Sequence, residues 1–219
     1  MPKFDAVLLD MDGTLVDSEK LYDKADEAMF EKLGITVTAE ERLALVGINL
    51  KAGTRLLLNF HPEINMTYEE LADAYEVSLL GALQNAKDLA LISGVEEWLQ
   101  TLKESGIKMA VASSSTKKMV DYVVDRLNLR NYVQYVINGE MIQNSKPDPE
   151  IFLRAAEALG VSPEKCAVLE DSGAGIQAAK AAGMYCVAYS GANVHGADQS
   201  AADVIIDEYT EETLAYLLG

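Results

Sequence analysis

From residue 93 onward the chain alternates short apolar runs with longer amphipathic ones, and this alternation constrains the fold more than any other feature. Ser93-Gly94-Val95-Glu96 opens a helix that carries Val95, Trp98, Leu99 and Leu102 at helical spacing and stops at Gly106. Residues 107–112 then read as a strand, Val120, Val123, Val124 and Leu127 as the face of a helix, and 132–137 as another strand. A helix over 149–159 ends at Gly160, a strand covers 167–169, a helix over 174–182 ends at Gly183, and 185–188 is a strand. Residues 204–206 predict one more strand before a last helix from Thr210. Strands alternating with helices in this way make βαβ units and a parallel sheet, so the expected class is α/β with a Rossmann-like core.

The first strand stands apart from that series. Residues 4–9 form a short buried run, and the pattern then turns helical, with Leu21, Ala25, Ala28, Met29 and Leu33 on one face. Thr38-Ala-Glu-Glu41 and Thr67-Tyr-Glu-Glu70 both have the form of a capping box and mark two further helix starts. We therefore expect a core domain of residues 1–16 and 90–219, interrupted by an all-helical cap domain of residues 17–89.

Charge narrows the partners. Against 35 acidic side chains there are 18 basic ones, a formal net charge of -17. Such a surface repels nucleic-acid backbones and anionic lipid, so neither nucleic acid nor a membrane surface is an expected partner. An anionic substrate has to be received by a metal or by a few placed cations. Cys166 and Cys186 lie in or beside apolar strand runs and read as reduced core thiols. The N-terminus lacks signal-peptide form and no run is long enough to span a bilayer, which makes the expected location cytoplasmic.

In open parallel sheets the reacting groups gather at the carboxyl ends of the strands. After the first strand come Asp10 and Asp12, separated by one residue and followed by Gly13. Desolvating two carboxylates there costs several kcal/mol unless a cation compensates. The second strand is followed by Ser113, Ser114, Ser115 and Thr116, any of which suits a helix N-cap or an anion site. Lys146 stands on a loop stiffened by Pro147 and Pro149, and Glu170-Asp171 ends the fourth strand. The Asp10–Asp12 pair points to function even by itself, whereas the others are individually ordinary turn and cap residues. Together they place carboxylates, a hydroxyl and an ammonium on one sheet edge, which suits Mg²⁺ and a phosphoryl group.

A rival motif is present. Gly173-Ala-Gly175-Ile-Gln-Ala178 satisfies the dinucleotide fingerprint, but two acids adjoin the place where pyrophosphate would sit, and the next strand ends without an acidic residue for a ribose.

The set DMDGTLVDS, Ser113, Lys146 and LEDSGAGIQAA resembles the four motifs of the haloacid dehalogenase-like hydrolase superfamily, and the helical insert is similar to the cap of its β-phosphoglucomutase and sugar-phosphatase branch. The resemblance implies a Mg²⁺-dependent phosphatase. Asp10 would be the nucleophile and Asp12 the general acid and base. Ser113, Ser114 and Lys146 would bind the phosphoryl oxygens, and Asp10, Asp12, Glu170 and Asp171 would hold the metal. The mutases of this branch add a cap histidine and a cap arginine. The corresponding positions hold Tyr22 and Leu50, with Lys51 and Arg55 the nearby cations that could substitute for the arginine, so hydrolysis is expected over mutase chemistry. Gly47, Asn49 and Lys51 are the candidate specificity residues on a cap loop. The expected substrate is a small phosphorylated metabolite, and the expected state a monomer or weak dimer.

Overall fold

The computed structural model describes residues 3–192 and 196–219. Its centre is a parallel sheet of β1 (Ala6–Leu9), β2 (Lys108–Ala112), β3 (Tyr135–Ile137), β4 (Cys166–Glu170), β5 (Tyr185–Tyr189) and β6 (Val204–Ile206). Their spatial order is β3-β2-β1-β4-β5-β6, with every neighbouring pair parallel. β1 is central because Leu9 registers with Val111 on one side and Leu169 on the other. The chain order reverses direction there, which opens a crevice above the carboxyl ends of β1, β2 and β4.

Because side chains alternate across a strand, the sheet feeds two cores. Val7, Leu9, Met109, Val111 and Leu169 enter one, under α5 (Val95–Glu104), α6 (Lys117–Arg126) and α9 (Glu211–Leu218). Ala6, Leu8, Ala110, Val168 and Cys186 enter the other, under α7 (Glu150–Leu159) and α8 (Gly173–Ala181). Both cysteines are buried thiols. Between β1 and α5 the chain makes α1 (Glu19–Leu33), α2 (Ala39–Leu45), α3 (Leu50–Phe60) and α4 (Tyr68–Asn85). These helices have a small core of their own, built on Met29, Phe30, Leu57, Leu71 and Tyr75. Both capping boxes form, at Thr38 and at Thr67, each fixing one helix start reciprocally. The two connections to the insert run side by side: Val16 bridges Leu91, and the Ile92 N–H donates to the Leu15 carbonyl at 2.9 Å.

Three strands are shorter than the sequence predicts, β2 by one residue and β1 and β3 by more. Residues 132–134 lie outside β3, since Asn128 turns the chain through a left-handed conformation (φ 55°) into a short 3₁₀ turn at Leu129–Asn131. Val133 is apolar because it packs in the core, not because it joins the sheet. Phe4 precedes β1 and stacks on Tyr185 instead. Among the described residues no helix is long and apolar enough to cross a membrane.

Candidate active site

The site is built on an ammonium buried between two carboxylates. Lys146 Nζ lies 2.6 Å from Asp10 Oδ1 and 2.6 Å from Glu170 Oε1. Its side chain is fully inaccessible, so the charge persists only because two acids surround it. Burial pulls the lysine pKa down, but Asp10 and Glu170 outweigh it and the net direction is up. Asp10 is pushed the other way from a normal carboxylate, to about 8: burial raises it more than Lys146 lowers it, and Glu170 adds repulsion. Oδ2 of Asp10 has no hydrogen-bond partner among the described residues, and Asp10 lines the cavity between the insert and the sheet edge.

Glu170 is saturated. Its Oε2 accepts the N–H groups of Asp171 (2.7 Å) and Ser172 (2.6 Å) and the Ser172 hydroxyl (3.0 Å), while Oε1 takes Lys146. A Cβ on Gly175 would sit 1.6 Å from Glu170 Oε1, so the second glycine of the fingerprint-like stretch makes room for this carboxylate. In the geometry shown, Glu170 anchors the lysine and the loop, and the ligand role expected for it would have Oε1 shared between Lys146 and the metal. Asp171 is different. Only Oδ1 is engaged, by the Thr14 hydroxyl at 2.8 Å. Burial and the charges of Glu170 and Asp10 hold its pKa well above the carboxylate range.

Asp12 points away from this cluster. Its Oδ1 accepts the hydroxyls of Ser18 (2.8 Å) and Tyr22 (2.7 Å), and its Oδ2 that of Ser115 (2.7 Å), with Ser113 Oγ at 3.4 Å. Tyr22, at the end of the cap nearest the sheet, therefore touches Asp12 directly. Burial and the Asp12 charge raise its phenol well above the ordinary value. Ser113 also accepts the Ser115 N–H at 3.1 Å. Ser114 lines the cavity, but its hydroxyl donates to the Gly47 carbonyl of the cap at 2.8 Å, so it has only its main chain to offer a phosphoryl group.

Cap and core meet over this site. The Asn49 N–H donates to Ser145 Oγ at 2.7 Å, and Asn49 Oδ1 caps α3 on the Ala52 N–H. Gly47 has φ 77°, and a Cβ there would lie 2.3 Å from Ser172 Oγ. The cavity is about 190 Å³, small beside the roughly 300–1,000 Å³ of sites for drug-sized ligands. Gly47 and Asn49 line it; Lys51 lines a separate depression with Tyr68 and Glu76, and the exposed Arg55 stacks on Tyr68. Ser18, Ser115, Thr14 and Ser145 are contacts that sequence reasoning did not assign. Thr14, Ser18 and Ser115 stood within quoted stretches without a role, and Ser145 had no mark of its own, since isolated hydroxyl residues occur at every turn.

The donor set can be weighed against a divalent cation. Among the described residues no three acidic, histidine or cysteine side chains form a ready metal shell. Mg²⁺ does not need one, since it usually takes one or two carboxylates and completes its sphere with water and substrate phosphate. Asp10 and Asp171 line the same cavity, each with one carboxylate oxygen outside the hydrogen bonds described; burial, with the charge of neighbouring acids, raises both pKa values, and a cation would favour their charged forms. They fit.

A parallel α/β sheet, a helical insert after its central strand, and an aspartate fixed by lysine at that strand's end define a phosphate monoester hydrolase. The haloacid dehalogenase-like hydrolase family model matches residues 7–189, and the chain belongs to this family. It is similar to a phosphorylated carbohydrates phosphatase of Thermotoga maritima, 34% identical over 185 residues that cover 82% of each chain. It is similar to hexitol phosphatase B of Escherichia coli, 30% identical over 98% of this chain and 96% of that one. Among solved structures, a CbbY mutant of Rhodobacter sphaeroides in complex with xylulose 1,5-bisphosphate superposes with a TM-score of 0.84, 26% identity, and coverage of 99% and 100% of the two chains.

Proposed function

We propose that this chain is a Mg²⁺-dependent phosphatase of a small phosphorylated metabolite, a sugar phosphate in the first instance, that works through an aspartyl-phosphate on Asp10. The observation that carries the reading is the position of Asp10: central in the sheet, one oxygen locked by Lys146, the other open to the cavity. The substrate part of the proposal draws support from the phosphorylated carbohydrates phosphatase and the hexitol phosphatase among the relatives.

Asp10 would attack phosphorus in line, forming its O–P bond as the bond to the leaving alcohol breaks. An alkoxide leaving group needs a proton, and Asp12 would give it, then take one from the water that releases inorganic phosphate. The hydroxyls of Ser18, Tyr22 and Ser115 would set where that carboxyl sits. Ser113 and Lys146 would bind the phosphoryl oxygens, with Ser114 contributing through its main chain. Asp10, Asp171 and the main-chain carbonyl of Asp12 would hold Mg²⁺, which when bound supplies charge neutralisation to the phosphoryl oxygens. Glu170 would serve by anchoring Lys146. Residues 17–89 would act as a lid over the core of 1–16 and 90–219, and closure would exclude water. The mutase alternative lacks support from the cap, where Tyr22 stands in place of a histidine and neither Lys51 nor Arg55 lines the cavity.

Phosphate release from a panel of sugar phosphates, with and without Mg²⁺, tests the reading. Asp10→Asn should reduce turnover to background while the melting temperature stays close to that of the parent. Mg²⁺-dependent hydrolysis retained by that variant refutes the nucleophile. Asp12→Asn should be most damaging for esters with poor leaving groups.

A further inference from the structure

The core side of the cavity explains how a phosphoryl group is held, but not what the rest of the substrate is. That half is roofed by the cap, and its lining is unusual for a protein that handles anions. Glu19, Asp23 and Asp26 all face it from α1, and the single lysine or arginine among the described lining residues is Arg42 of α2. Arg42 is already engaged: Nη1 lies 3.8 Å from Asp23 Oδ1, its guanidinium sits 5.1 Å from the centre of the Phe30 ring, and its charge draws on Asp26. A second anionic group placed there would meet three acidic side chains and one arginine already engaged by Asp23 and the Phe30 ring.

A second observation says what the roof can hold. Thr54 of α3 lines the same cavity and is only 2% exposed, yet its hydroxyl has no hydrogen-bond partner among the described residues. A buried hydroxyl left unpaired costs about 1–3 kcal/mol, so a ligand that pairs it is favoured. Around it the roof is apolar, with Leu45, Ile48 and Leu57 interleaved between the polar groups. Carboxylates that accept from hydroxyls, a hydroxyl that both donates and accepts, and apolar walls for C–H faces match an uncharged polyol.

We infer that the cap end of the cavity takes the neutral, multiply hydroxylated part of a monophosphate, with Thr54 and Asp26 as specificity-determining residues, and rejects a second phosphate or a carboxylate. This rests on the phosphatase reading above. It also separates the chain from the CbbY mutant that was captured with a bisphosphate, despite their shared fold.

The test compares kcat/KM of the full chain with Mg²⁺ on sorbitol 6-phosphate, fructose 1,6-bisphosphate, 2-phosphoglycolate and p-nitrophenyl phosphate. The alditol monophosphate should exceed the bisphosphate and the phosphoglycolate by about a hundredfold, a discrimination that unpaired charge and lost hydrogen bonds can supply. Thr54→Val keeps the shape and removes the hydroxyl. It should lower the ratio of sorbitol 6-phosphate to p-nitrophenyl phosphate about tenfold. Asp26→Asn should raise the ratio of bisphosphate to monophosphate severalfold. A parent that prefers the bisphosphate or phosphoglycolate overturns the inference and leaves the phosphatase reading standing. So does a Thr54→Val variant that slows the alditol and aryl esters equally, the sign of a merely structural role. Failure to hydrolyse any of the four, the aryl ester included, overturns both.

Discussion

The two halves of the cavity solve opposite electrostatic problems. At the core end the buried lysine and the acid beneath it are fixed: Lys146 is clamped by Asp10 and Glu170, and Glu170 by the backbone of its own loop. At the cap end Asp23 and Asp26 share one arginine, across a longer ion pair, on helices with a small core. The first half is rigid because each group is over-determined by strand ends. The second is looser, and its side chains can change without disturbing the sheet. Fixed geometry serves the reacting atoms, and a replaceable lining serves the choice of leaving group.

The sharpest way to break the comparison is Lys146→Met. It leaves Asp10 and Glu170 buried without their cation, a class of change that costs about 3–5 kcal/mol. Denaturant unfolding should show that loss, and a shift under about 1 kcal/mol would mean the core end is not over-determined as described.

A pair of glycine substitutions comes next. Gly13 and Gly47 both have left-handed backbones (φ 75° and 77°), so alanine costs each about 1–2 kcal/mol in conformation alone. At Gly13 the new Cβ would also meet Asp171 Oδ2 at 2.4 Å inside the core, with nowhere to go. Gly13→Ala should therefore lose stability beyond the backbone cost and weaken Mg²⁺ binding in a titration. At Gly47 the clash is with Ser172 across the cap–core boundary and is relieved if the lid stands open. Gly47→Ala should raise KM with little stability loss beyond the shared backbone cost. Equal effects at the two sites would erase the distinction between the halves.

A pH experiment sharpens the cap end. Burial and Asp23 raise Asp26 to about 7, against the pull of Arg42, while in the unfolded chain it titrates near about 3.9. The native state thus holds the extra proton between those values, and stability falls as pH rises through that window. Asp26→Asn removes the dependence, so its melting temperature should gain on the parent from pH 4 to 7 and run parallel above. A constant difference across the range would show that Asp26 is not held in this way. The smallest effect is expected from Lys118→Ala, which removes the exposed bridge from α6 to Glu76 of the cap (2.5 Å). Such pairs contribute little, and KM should move by about twofold at most, less at high salt.

The architecture was legible because it depends on local signals. Apolar runs, glycine stops and the capping boxes at Thr38 and Thr67 placed the core elements and three of the four insert helices within a few residues, while α3 was not placed. The start of β3 failed because Tyr132 and Val133 are apolar for packing and only register with β2 decides which residues join a ladder. Asp10, Ser113, Lys146 and Asp171 stood out because each follows a strand. Asp26, Arg42 and Thr54 did not, since a polar residue on an amphipathic helix looks the same whether it faces water or a cavity.

By itself, then, the amino-acid order determined which segments become strands and helices and which acids end the strands, because propensity and periodicity act over a few residues. Tertiary structure alone decided that Glu170 is spent on Lys146 and backbone N–H groups, that the Ser114 hydroxyl turns to the cap, and that α1, α2 and α3 aim their polar groups at one space. Those outcomes depend on distances between residues far apart in the chain, which are set only when the helices pack over the sheet.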